Sequence, residues 1–307
     1  MKKFIITTTI LPPTKAIEQY DAMEDWSLIV TGDRKSPKEY PLKRGLYVDW
    51  EAQQKGFPDL CNLIGPDSTA RGRMIAIIMA YRAGADVIAT IDDDNFPYDN
   101  WGKKCHIGTT IGAHVKPEKI YEPVHLFDIR LWHRGFPIEL RNQEWSRRYL
   151  TRNVEVLMQA NLWDCDPDID ALMRLALRPD IRIGQNFSPF CGSLFMPMNS
   201  QNTMFAAKYA MDYCPFAFIG RLEDIWASYV FQALHPNSSV YCEATVRHEQ
   251  VRSLESLLKD LEDEIWGYRN TYQFLKDLAQ YGVEKAMENT FPFKARVVWE
   301  MYRRYFE

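Results

Sequence analysis

No two of the six cysteines stand in C-x-x-C spacing; Cys61, Cys105, Cys165, Cys191, Cys214 and Cys242 are scattered along the chain. That excludes a zinc ribbon or a dithiol redox site and leads us to expect reduced thiols in a cytoplasmic protein. Excess charge is also scarce. A net charge of -4 over 307 residues gives no basic footprint for nucleic acid or an anionic membrane, so neither partner is expected. No apolar run is long enough for a transmembrane segment. Internal repeats and low-complexity linkers are missing too. The opening MKKFIITTTILPP has a basic head and a short apolar core. Three threonines sit in that core and no small-residue cleavage site follows, so a first β-strand is expected instead of a signal peptide.

What is present reads as strands alternating with helices. Strands are expected at Lys3–Thr9, Trp26–Asp33 and, closed by Gly-Pro, Leu60–Pro66. A helix capped by Ser68 or Thr69 should run to Gly84 at its left-handed end, with a buried strand following up to Asp92. The stretch 101–180, rich in Arg, Trp and Pro, reads as irregular, and Pro189–Tyr213 as a loop followed by a helix. Helices are also expected at Leu222–His235 and from Gln250 onward, the latter with Val251, Leu254, Leu258, Leu261 and Ile265 as the apolar stripe that packs on the core. The alternation argues an α/β, Rossmann-like fold with a central sheet and C-terminal helices. Ligands in such sheets bind beyond the carboxyl ends of the strands. Asp33 and Asp92–Asp94 both fall at such ends.

The run VIATIDDDNFP places three carboxylates side by side, which raise each other's pKa unless something offsets the repulsion. On an extended backbone Asp92 and Asp94 point to one side and Asp93 to the other. Two oxygens on one side suit a hard cation, Mn²⁺ or Mg²⁺, that shares its shell with substrate phosphates. The missing Gly disfavours an EF-hand; the plainer alternative is a solvated acidic turn or a helix cap. Arg71 and Arg73, in the first turn of the preceding helix, are candidates for a diphosphate, with Gly72 allowing close backbone approach. Glu223 and Asp224 begin a helix, where the dipole alone favours acids. His248 becomes a metal ligand only if the fold brings it to Asp94.

In this order, IDDDN, RGFPIELR (Arg134–Arg141), CGSLFMPMNSQNTMF, GRLEDIWASY and LLKDLEDEIW resemble the reversibly glycosylated polypeptides, a family of UDP-arabinopyranose mutases. TGDRKSP, DPDIDAL and DDDN are also similar to the STELLO-type glycosyltransferase-like proteins. The resemblance implies a GT-A-type nucleotide-sugar fold over residues 1–248 with a helical extension at 249–307, a UDP-sugar substrate, and a manganese or magnesium ion. On that basis Asp92, Asp94 and His248 would ligate the metal, while Asp33, Arg71, Arg73, Asp92 and Asp93 would hold the nucleotide. Asp224 would face the sugar or an acceptor hydroxyl, as a positioning group or general base. Of the arginines at the ends of RGFPIELR, Arg134 would be reversibly glycosylated and Arg141 needed for activity, with Glu139 or the Asp166–Asp170 cluster assisting. The segment after Arg141 departs from the family pattern, which leaves sugar and acceptor open. Three readings compete: a mutase interconverting pyranose and furanose forms, a transferase to a separate acceptor, and a catalytically silent partner of such an enzyme. A homo-oligomer is also left open.

Overall fold

A computed structural model describes residues 1–127, 129–177, 179–184, 187–250 and 252–307. Among them the strands and helices run β1 (Lys3–Thr9), α1 (Lys15–Asp21), β2 (Ser27–Gly32), β3 (Leu46–Val48), α2 (Trp50–Gly56), α3 (Pro58–Ile64), α4 (Thr69–Arg82), β4 (Val87–Ile91), β5 (Asn95–Pro97), β6 (Thr110–Val115), β7 (Leu150–Glu155) and β8 (Met158–Cys165). They continue as α5 (Ala171–Ala176), β9 (Phe190–Cys191), β10 (Asn202–Ala206), α6 (Glu223–Leu234), β11 (Ser239–His248), α7 (Leu254–Tyr281), α8 (Val283–Thr290) and α9 (Phe293–Arg303).

The strands form one mixed sheet in the order β3-β2-β1-β4-β10-β8-β11-β9-β6-β7, with β5 beside β11. The first four are parallel, β10 runs antiparallel to β4 and β8, and β8 and β11 are parallel again. The mixed α/β architecture with C-terminal helices is therefore the expected one. Helix α4 follows its signals: the Ser68 side chain accepts from Arg71 N, and Gly84 takes φ +80° just past the end. Gly72 is needed for packing inside the protein, not for a ligand. A Cβ there would come within 2.9 Å of the Thr8 and Thr31 hydroxyls, so its absence lets α4 sit directly on β1 and β2.

Four local expectations are corrected. Leu60–Pro66 lies mostly in helix α3, not a strand: Pro58 opens that helix, Gly65 ends it, and seven residues are too few for periodicity to decide. The stretch 101–180 contains β6, β7 and the almost fully buried β8. Residues 189–213 hold the short strand β9 and then β10, and only a 3-10 turn (Ala207–Asp212) where a helix was expected. Helix α7 forms, but with its faces exchanged. Leu254, Leu258 and Ile265 are 63, 45 and 40% exposed, while Leu257, Gly267, Phe274, Leu275 and Leu278 pack inward; Val251 lies outside the described residues. The inward face is continuous with the main core, where Trp226 of α6 stacks on Phe274 at 4.0 Å between ring centroids and lies 5.3 Å from Phe291. Burying each such ring contributes about 1.5–3 kcal/mol, so α7–α9 are held to the sheet by the same apolar burial that holds the sheet together.

Candidate active site

The carboxyl ends of β1, β2, β4, β8 and β11 open into a cleft of about 480 Å³. The order of strands in the sheet gives the cleft a direction. Asp33 follows β2, Thr8–Ile10 close β1, and Asp92–Asp94 follow β4. Beyond them come Asn199 and Gln201 ahead of β10, Asp168 past β8, and His248 ending β11.

Each of the three aspartates has a different partner. Asp92 accepts from Arg73, whose Nη1 also lies 3.5 Å from Glu223 Oε1. Asp93 and Asp94 lie in a turn between β4 and β5, not on the extended backbone expected from sequence, and Asp93 accepts from the Thr9 hydroxyl. Burial lifts its pKa to about 6 even against that hydrogen bond. Asp94 Oδ2 lies 3.3 Å from His248 Nε2, 154 residues away in sequence, because β5 pairs with β11 and sets Asn95 opposite His248. The Asp33 carboxylate is turned to its own loop, accepting from Lys35 N at 2.6 Å, and only borders the cleft.

The Asp94–His248 pair has the chemistry of a cation site. His248 Nδ1 is 2.7 Å from the Asp166 carbonyl, an acceptor, so Nδ1 carries the proton. In a neutral ring Nε2 then directs a lone pair at a carboxylate oxygen, an unfavourable contact that a proton or a cation between them relieves. Burial opposes a charge on His248, but Asp94 and the Asp166 carbonyl outweigh it and raise its pKa. Asp94 Oδ1 is buried with no hydrogen-bond partner. Metal-binding histidines commonly donate their second N–H to a carbonyl in this way. Among the described residues no group of three or more His, Cys, Asp or Glu is placed to hold a metal. The donor set therefore fits an ion that takes one or two protein ligands and completes its shell with phosphate oxygens and water. Asp92 was expected on the same ion; its Oδ1 accepts from Arg73, so Asp94 and His248 are the pair that the fold brings into direct contact.

At the far end Arg134 is enclosed by carboxylates. Nε and Nη2 donate to Asp168 at 3.1 Å each, Nη1 and Nη2 reach Asp224 at 3.2 and 3.4 Å, and Nη1 also donates to the Arg221 carbonyl. All five guanidinium N–H groups are engaged. Burial works against the charge, but Asp168 and Asp224 raise the Arg134 pKa well above its usual value. Asp168 and Asp224 are held below the carboxylate range despite burial, chiefly by Arg134. Asp224 is full as well: Ser200 N and Oγ donate to Oδ2 at 2.9 Å and Ile225 N to Oδ1.

Two expected site residues do not reach the cleft. Arg71 is fully buried behind it, donating to Gln53 and the Gly65 carbonyl with its guanidinium 4.6 Å over Trp50. Residues two apart on a helix point about 200° apart, so Arg71 and Arg73 cannot share a face. Arg141 pairs with Asp170 between Trp132 and Tyr268 and ties the 134–141 loop to α5 and α7. Glu139 is exposed, and Asp166 pairs with Arg174. Of the Asp166–Asp170 cluster expected to assist Arg134, Asp168 is the member that pairs with it, whereas the sequence reading did not single out Thr9, Asn199 or Gln201 and explained Glu223 by the helix dipole alone. Only the NSQN run hinted at some of them.

No protein-family model matches the chain, so its likeness to the arabinopyranose mutases rests on short motifs. Two Arabidopsis thaliana proteins described as probable glycosyltransferases, STELLO1 and STELLO2, are each 22% identical over 66% of the chain. The chain spans 29% of the length of those relatives. Among solved structures, glucosyl-3-phosphoglycerate synthase from Mycobacterium tuberculosis with phosphoglyceric acid aligns over 92% of this chain and 80% of its own, at 11% identity and a TM-score of 0.37. The same enzyme with Mn²⁺, UDP-glucose and phosphoglyceric acid aligns over 92% and 80% of the two chains, at 13% identity and a TM-score of 0.41. Among the described residues, no helix is long and apolar enough to cross a membrane.

Proposed function

We propose that this chain is a divalent-cation-dependent GT-A-type transferase that moves a sugar from a UDP-sugar to a hydroxyl acceptor. The Asp94–His248 pair at the mouth of a buried strand carries the reading, with its proton- or cation-demanding contact and an unpartnered carboxylate oxygen. Similarity to probable glycosyltransferases supports the class of reaction; uridine as the base rests on likeness alone. Along the cleft, the Thr8–Ile10 and Asp33 end would take the nucleoside, and Asp94 and His248 would hold the ion. The pocket near Asp168, Arg134 and Asp224 takes the sugar. Arg73 neutralises Asp92, which removes one of the charges the diphosphate would otherwise meet. When bound, the ion supplies a Lewis acid that neutralises the departing diphosphate.

The ring-isomerising alternative needs Arg134 as a nucleophile. A guanidinium attacks only after losing its proton, and two carboxylates hold that proton in place. Transfer to a separate acceptor is therefore the better-supported reading. Calorimetry of UDP with and without manganese tests the site: binding should require the ion, and equal affinity in both conditions would refute the assignment.

A further inference from the structure

A catalyst of this kind needs a group to receive the acceptor's proton, and the residue that sequence singles out is unsuited to it. Asp224 already accepts from Arg134, Ser200 and Ile225, on both of its oxygens. It is 4% exposed and held ionised below the ordinary range. A carboxylate with low proton affinity and every lone-pair direction taken is an anchor. Asp224 fixes Arg134 and the 199–201 turn.

Glu223, its neighbour, has the opposite properties. Oε1 accepts from the Thr69 hydroxyl at 2.5 Å and sits 3.5 Å from Arg73 Nη1, which fixes the carboxylate plane from α4. Oε2 has no protein partner among the described residues. It is not among the buried unpartnered atoms, and the side chain lines the cleft at 16% exposure. One oxygen is therefore anchored and the other is unpartnered, on a side chain that lines the cleft. Arg73 bridges Glu223 to Asp92, so the free oxygen lies one guanidinium away from the diphosphate end.

We infer that Glu223 is the catalytic base, with Oε2 taking the proton from the acceptor hydroxyl. The inference rests on the transfer reading above. In the step, the acceptor oxygen forms a bond to the anomeric carbon and its proton passes to Oε2. The bond from that carbon to the diphosphate oxygen breaks, and its electron pair leaves on the nucleoside diphosphate. Burial raises the Glu223 pKa to about 7, opposed by Arg73 and Thr69, added to by Asp224, and opposed in turn by Arg134. Tyr213 also faces it from the turn before α6. A base titrating near the working pH is the effective kind.

The test measures UDP release from a panel of UDP-sugars (glucose, galactose, xylose, arabinopyranose) with manganese and with water or glycerol as acceptor. Glu223→Gln keeps an acceptor for the Thr69 hydroxyl but cannot take a proton. Its kcat should fall about 10²–10⁴-fold, with UDP affinity unchanged by calorimetry. The wild-type rate should rise through an acid limb near pH 7 that the variant lacks. Glu223→Ala should regain part of its rate with added formate, which a merely structural role would not produce. A Glu223→Gln enzyme within threefold of wild type, or one that keeps the acid limb, overturns the assignment. A wild type that binds UDP with manganese yet releases none from any donor also overturns it. Failure to bind UDP overturns the transfer reading, and this inference with it.

Discussion

Replacing Arg134 by Met tests the electrostatics of the sugar end most directly. The substitution keeps much of the length and removes five donors at once. Asp168 and Asp224, 7 and 4% exposed, would lose their shared cation and keep only the bonds from Asn199, Ser200 and Ile225. Breaking a buried ion pair by removing one partner costs about 3–5 kcal/mol. At about 2–4 °C per kcal/mol for chains of roughly this size, the melting temperature should drop by about 6–20 °C. The pH dependence separates this cause from simple loss of packing. In the wild type both carboxylates sit below their ordinary pKa values. Their contribution is complete above the unfolded value of about 4 and is lost as pH falls through the folded values. In the variant the largest opposition to burial is gone, leaving Asn199 and Arg174 at Asp168 and Arg73 and Ser200 at Asp224, so their folded pKa values should rise. The gap between variant and wild type should then narrow as pH falls from 7 towards 4. Urea unfolding at pH 7, 5.5 and 4 measures this. A loss under about 1 kcal/mol, or a gap independent of pH, would refute the account.

Asp94→Asn should weaken UDP binding in manganese about tenfold or more, read by calorimetry; affinity in manganese equal to wild type would remove Asp94 from the cation site. Incubation with a labelled UDP-sugar, then digestion and mass spectrometry, should find no sugar on Arg134, whereas an adduct chased off by excess UDP would restore the ring-isomerising reading. Leu257→Ala should cost about 2–5 kcal/mol and Leu258→Ala less than about 0.5 kcal/mol by urea unfolding, because the first side chain is 6% and the second 45% exposed. The opposite order would mean that α7 presents the other face to the core.

The parts of the fold that were legible are those specified by local signals. Strand β1 runs over the expected residues, and α4 starts at its serine cap and ends before its left-handed glycine. What failed depends on partners far away in sequence. The seven-residue α3 is apolar enough to be a strand or a helix, and only its packing decides. Helix α7 has two apolar stripes; Gly267 selects the inner one, because a Cβ there would collide with Leu222. The same division runs through the cleft. Asp92–Asp94 could be found because three like charges after a buried strand are anomalous on their own. Arg71 was misread because charge near a helix start was weighed without its direction around the axis. Glu223 was passed over because the helix dipole accounts for an acid at that position, and nothing in the sequence tells a carboxylate with a free oxygen from one without.

That distinction also explains how three consecutive aspartates are tolerated. A single cation on all three would require their oxygens to converge, but the chain turns at Asp93 and Asp94 and each carboxylate meets a different partner. The fold instead separates the charges among partners drawn from three elements. Arg73 from α4 takes Asp92, Thr9 at the end of β1 takes Asp93, and His248 at the end of β11 takes Asp94, held there by pairing with β5. A full positive charge meets only the first of them. Asp93 is eased by a neutral hydroxyl and has a pKa lifted to about 6, and Asp94 keeps an unpartnered oxygen. The run is thus only partly compensated by the protein, and the deficit is concentrated on Asp94. A divalent ion bound there would act on the one carboxylate that the chain itself leaves incompletely satisfied. Arg73, by contacting both Asp92 and Glu223, ties the geometry of the aspartates to that of the proposed base. Arg73→Lys, which keeps the charge but loses the fork that spans both carboxylates, would act on both functions together.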